Sequence, residues 1–161
     1  MRFHPLFLMA AAPLLAGCPN TDTAVFVEPS VASPTLTVAG SALGASVSGG
    51  FTLSLHLGAR ASGPSAVSLG QFAIQDATQT ADIVSPLTLD SGSTSLPVTV
   101  EPDSDVQVAL TFDTGAKLLP ADVKDKLCAA AGVVITGTLQ DSLQDTSTPV
   151  DSAVIHASGC M

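Results

Sequence analysis

Phe51-Thr52-Leu53-Ser54-Leu55-His56-Leu57 decides the fold class. Its odd-numbered residues are all apolar and its even-numbered residues all polar. Successive side chains of a β-strand point to opposite faces, so this period of two marks a half-buried strand. Upstream, a glycine-rich patch from Ser46 to Gly50 separates this strand from the shorter alternating run Thr35-Leu36-Thr37-Val38. Further upstream, Val25 to Glu28 reads as a first edge strand before Pro29 and Pro34.

Downstream, the Gly63-Pro64 pair breaks the chain, and Val67-Ser68-Leu69 followed by Phe72-Ala73-Ile74 forms the next strand. The apolar phase slips by one at Gly70, which predicts a bulge there. Strands are also predicted at Ile83–Leu89, Leu96–Glu101 and Val106–Phe112, the last two joined by a turn at Glu101-Pro102-Asp103-Ser104. Between Pro120 and Gly132 the pattern changes to helix. Proline suits a helix start and glycine a helix end, Val123 and Leu127 make an apolar stripe, and Asp122 and Lys126 form an i,i+4 pair. Two last strands, Val133–Leu139 and Val150–Ala157, flank a polar loop from Gln140 to Pro149.

Seven to nine short strands at this spacing predict an all-β, antiparallel β-sandwich, with one short helix before the penultimate strand. The run from Phe51 to Asp113 resembles bacterial immunoglobulin-like domains of exported proteins. The likeness lies in the Phe-x-Leu-x-Leu strand and in a hairpin from Pro97–Pro102 into Val108–Asp113. It implies an immunoglobulin-like sandwich, although the core Trp and inter-sheet Cys pair of antibody domains are missing.

The N-terminus carries a different signal. One arginine, Arg2, precedes an apolar run from Leu6 to Leu15, which ends in Leu15-Ala16-Gly17-Cys18. About ten helical residues cover roughly 15 Å, half a bilayer core, which suits a signal peptide rather than a span. Leu15-Ala16-Gly17-Cys18 resembles the lipobox of bacterial lipoproteins. That resemblance implies cleavage before Cys18, a lipid on its thiol and a further acyl chain on its new amine. Two or more chains anchor stably at ~0.8 kcal/mol per buried CH₂. The expected organisation is a signal peptide over 1–17, a lipidated Cys18 with a short tether or first edge strand over 18–34, and the sandwich domain over 35–161. Pro19 and Asn20, rather than Asp, follow the cysteine, which favours the outer over the inner membrane within the cell envelope.

Cleavage leaves 144 residues with four basic and 14 acidic side chains, a formal net charge of −10. Phosphate backbones repel such a chain, so nucleic acid is excluded as a partner. There is no Trp or Tyr, and Phe26, Phe51, Phe72 and Phe112 all sit in strand-like contexts. Core packing is their expected role, which disfavours carbohydrate binding by ring stacking. With Cys18 lipidated, Cys128 and Cys160 remain. Two exported thiols usually pair, the alternatives being free thiols or a metal pair. The two cysteines lie symmetrically about the Gln140–Pro149 loop, so a terminal hairpin brings them to its open end. A loop of about 33 residues stabilises by roughly 3.5–4 kcal/mol in the chain-entropy model.

Candidate chemistry is sparse. Glu101, Asp103 and Asp105 put three carboxylates in one turn, and Asp76 and Asp82 bracket another, a possible calcium site set against a plain solvated acidic turn. His56 and His156 are the only histidines after the signal, and neither Gly-x-Ser-x-Gly nor Ser-x-x-Lys occurs. His56 falls on the polar face of its strand. Lys117, Lys124 and Lys126 cluster near the helix and either solubilise it or dock an acidic protein. No cofactor motif is present. These features predict a non-enzymatic, lipid-anchored envelope protein, attached to the membrane by its lipid and acting through protein partners or as a structural accessory. A periplasmic ligand- or calcium-binding lipoprotein is the alternative.

Overall fold

The computed structural model describes residues 22–41, 43–115, 117–129 and 131–160. The expected signal peptide and Cys18 lie outside them. The elements run β1 (Glu28–Ser41), β2 (Gly44–Leu57), β3 (Ser65–Asp76), β4 (Asp82–Val84), β5 (Val98–Val100), β6 (Ser104–Asp113), α1 (Asp122–Leu127), β7 (Val133–Asp141) and β8 (Thr148–Asp151). Two antiparallel sheets result. One has the order β1-β2-β6; the other has the order β4-β3-β7-β8, with β5 also paired to β3.

The alternating run 51–57 buries its predicted face. Phe51, Leu53, Leu55 and Leu57 are buried, and face Val67, Phe72, Ile74, Ile135 and Leu139 of the other sheet across one continuous core. The Phe51 and Phe72 rings stack across it, with centroids 5.8 Å apart. Val123 and Leu127 of α1 close the core at one end.

Strand β2 is twice as long as the clean alternation suggests, because the glycine patch is strand as well. Gly49 faces inward opposite Phe112 in the register, and a methyl group there would lie 2.7 Å from that ring. Gly137 is likewise the register partner of Phe72, whose ring lies over it. Each sheet thus contains one phenylalanine laid across a glycine of the neighbouring strand. Glycine there makes room for a ring, where sequence pattern alone suggests a turn.

Other boundaries moved as well. The first strand begins at Glu28 and continues to Ser41 through both prolines, with a register shift between Ala32 and Thr35. It runs through the expected boundary between 34 and 35. Val25 and Phe26 precede it, and Phe26 is 44% exposed, so its expected core role is wrong. The slip at Gly70 is a true irregularity between Leu69 and Phe72. Val98–Val100 does not form a hairpin with β6: it pairs with Ser65–Val67 in the opposite sheet, so the 101–103 turn crosses between sheets. The helix covers six residues rather than thirteen, with Ala121 at its N-cap making no side-chain cap bond. Cys128 and Cys160 are joined, with Cα atoms 5.5 Å apart. Among the described residues, no helix is long and apolar enough to cross a membrane.

Candidate functional site

Strand direction sorts the chemistry to two ends. Glu28 pairs with His56, and Leu57 with Ser104, so the start of β1, the end of β2 and the start of β6 share one end. Asp141, at the end of β7, joins them through Val67. The β1–β2 turn, α1, the disulfide and the C-terminus occupy the other end. A fourteen-residue strand such as β2 is about 45 Å long at 3.3–3.4 Å per residue, which sets their separation.

At the first end the entering chain is pinned at two points. Asp22 Oδ2 lies 2.7 Å from His56 Nε2, and Asp105 Oδ1 lies 2.9 Å from His56 Nδ1. Only the protonated imidazolium has a donor for both carboxylates. Hydrogen bonds to Asp22 and then Asp105 therefore raise the His56 pKa above its ordinary value. Asp22 is held below the usual carboxylate range, chiefly by the Ala24 N–H it accepts at 3.0 Å and then by His56. Gly58 makes the approach possible, since a methyl group there would lie 2.6 Å from the Asp22 carboxylate. Ala24 and Val27 are buried beyond this clamp.

The second point is Asp141, only 3% exposed. Its Oδ2 accepts the Val27 N–H at 2.8 Å; its Oδ1 accepts the Leu143 N–H at 2.9 Å and the Ser65 hydroxyl. Burial alone pushes a carboxyl pKa up, but the donors from Ser65, Leu143 and Val27 outweigh it and hold Asp141 below its ordinary value. One acid thus joins the entering segment, β3 and the β7–β8 loop. Aspartate 141 drew no attention in the sequence, because it closes an otherwise polar loop; only the neighbours reveal its burial.

The three carboxylates predicted as a calcium site do not act together. Asp105 turns to His56, while Glu101 and Asp103 stay exposed. Among the described residues, no three His, Cys, Asp or Glu side chains converge on a point able to hold a metal ion. Asp76 caps its own turn by accepting the Thr80 N–H and hydroxyl, each at 2.8 Å. His56 lies on the polar face as expected, but both its ring nitrogens face carboxylates rather than a serine hydroxyl. The signal for this clamp was a polar-face histidine in an acidic chain. Its partner Asp22 is 34 residues away and could not be singled out.

At the far end, an open cleft of about 560 Å³ lies between Ile83–Thr88 and the segment from Phe112 to Lys126. Lys117 and Lys126 line it together with Asp113 and Asp122. Lys126 is paired with Asp122 at 2.7 Å, as predicted. Beside it, Leu118 is 45% exposed and Leu43, in the β1–β2 turn, 85%. No family model matches this chain, and no curated protein or solved structure matches it.

Proposed function

We propose that this chain is a lipid-anchored cell-envelope protein whose immunoglobulin-like sandwich acts through protein contacts or as a structural accessory, without enzymatic chemistry. The observation that carries the reading is the pinning of Asp22. It stands only four positions after Cys18 and is already held on His56. Four residues span at most about 14 Å. A lipid on Cys18 therefore holds the Asp22–His56–Asp105 end of the sandwich at the membrane. The helix, the cleft and the exposed Leu118 then lie toward the outer end, and the exposed Leu43 of the β1–β2 turn lies about 45 Å away at the strand rise. A short, firmly attached arm of this kind suits a domain that presents a surface at fixed height. The residues after Cys18 favour the outer membrane.

The test is fractionation of cells expressing the native chain or Cys18→Ala. The native protein is expected in the membrane fraction after a high-salt wash. Cys18→Ala is expected in the soluble fraction, with an unchanged melting temperature. Retention of Cys18→Ala on salt-washed membranes overturns the anchor.

A further inference from the structure

Among the described residues, every sheet edge but one is guarded along its length. A free edge presents unpaired N–H and C=O groups, and proteins blunt it with short strands, prolines, bulges or a covering segment. Strands β4 and β5 are three residues long, and β8 is four residues with Pro149 inside it. Strand β1 carries Pro29, Pro34 and a register shift, and its Thr37–Val38 part is covered by Ser158. Strand β6 is covered only at Thr111, by Asp90. It is ten residues long, has no proline, and keeps an unbroken register with β2 from Ser104 to Asp113.

The direction of its free groups follows from one contact. Thr111 exchanges both backbone hydrogen bonds with Asp90, at 2.8 and 2.9 Å, on the side away from β2. Alternate residues of a strand face the same way, so Asp105, Gln107 and Ala109 also aim their N–H and C=O outward. Among the described residues none of these groups has a hydrogen-bond partner, and all three residues are exposed. Asp90 already acts as the first partner of an added strand.

Charge selects the occupant. Asp90 and Asp113 flank one end of this edge, and Glu101 and Asp103 the other. The stretch from Leu89 to Asp113 contains no Lys or Arg. A second copy adding here would set these acidic flanks against each other. We propose that the β6 edge binds an extended, basic segment of a partner protein by strand addition, with main-chain bonds at 105, 107 and 109 and cationic side chains at the acidic flanks. This names the contact surface for the protein-contact reading above and rests on it.

The experiment uses the full lipidated protein in detergent and a capped peptide of about seven alternating threonines and valines, long enough to span 105 to 111. One version carries lysine at both ends, the other glutamate. Amide exchange of each residue is followed with and without peptide. The lysine-ended peptide is expected to slow exchange at Asp105, Gln107 and Ala109 by about tenfold or more, as expected for a newly bonded amide. Val106 and Val108, bonded to β2, should not change. Gln107→Pro removes the central donor and should abolish the effect. Because proline can also disturb the strand, Asp90→Asn with Asp113→Asn provides a milder variant, expected to weaken binding about tenfold by loss of charge. Unchanged exchange at saturating peptide overturns the proposal. So does equal binding of the glutamate-ended peptide, or slowing that depends on protein concentration alone, which would make a second copy the occupant. A photo-crosslinker placed at Leu43 separates the two readings. Crosslinking there with an unprotected edge refutes this site and leaves the contact function standing; no crosslink from Leu43 together with an unprotected edge refutes the contact function.

Discussion

Replacing Asp141 with Asn keeps the size and shape of the side chain and removes one acceptor. Its remaining oxygen can stay with the Ser65 hydroxyl and the Leu143 N–H. The new NH₂ then faces the Val27 N–H, donor against donor. One charge-assisted bond is lost and a buried N–H is left unpaired, at a cost of about 1.5–3 kcal/mol. Asp141→Ala strands the Val27 and Leu143 N–H groups and the Ser65 hydroxyl in a nearly dry site, also frees the Gln144 amide, and should cost about 3–5 kcal/mol. The assay is urea denaturation of the purified protein, with exchange of the Val27 amide measured alongside. At about 3 °C per kcal/mol for a domain of this size, Asp141→Asn lowers the melting temperature by about 6 °C. The pH dependence gives an independent check. The Asp141 pKa is lowered by folding, so its contribution is present above the ordinary aspartate value and is lost as pH falls through the lowered one. Asp141→Asn should flatten that acid limb. A loss under about 0.5 kcal/mol, with Val27 exchange unchanged, refutes the role of Asp141 as the joint between the entering segment and the sandwich.

Further outcomes follow from other sites. The His56 clamp contributes below the ordinary histidine pKa and weakens as pH rises through the raised one, so exchange at Ala24 should quicken beyond the intrinsic rate across that rise; the same profile in His56→Asn refutes this. Gly137→Ala forces a methyl group against the Phe72 ring and should cost about 1–3 kcal/mol in chemical denaturation, while Gly63→Ala, with open space around it, should stay within about 0.5 kcal/mol. Replacing both Cys128 and Cys160 with Ser should lower stability by about 3.5–4 kcal/mol, because the bridge closes a 32-residue separation; equal stability of the variant under oxidising conditions refutes the bridge.

The sequence by itself determined the all-β class, the buried face of 51–57, the irregularity at Gly70 and the pairing of the two cysteines. Each rests on a local signal: a side-chain period, a phase slip, or thiols placed symmetrically about one loop. Tertiary structure decided the rest. Glycine-rich 44–50 became strand through its pairing with β1 and β6, with Gly49 leaving room for the Phe112 ring. Val98–Val100 went to the far sheet because pairing with β3 is a long-range choice that period two cannot express. Asp22, His56, Asp105 and Asp141 acquired their roles because antiparallel strands of fixed length carried them to the same end. Which acid is buried, and which strand edge remains open, depends on neighbours that lie tens of residues away along the chain.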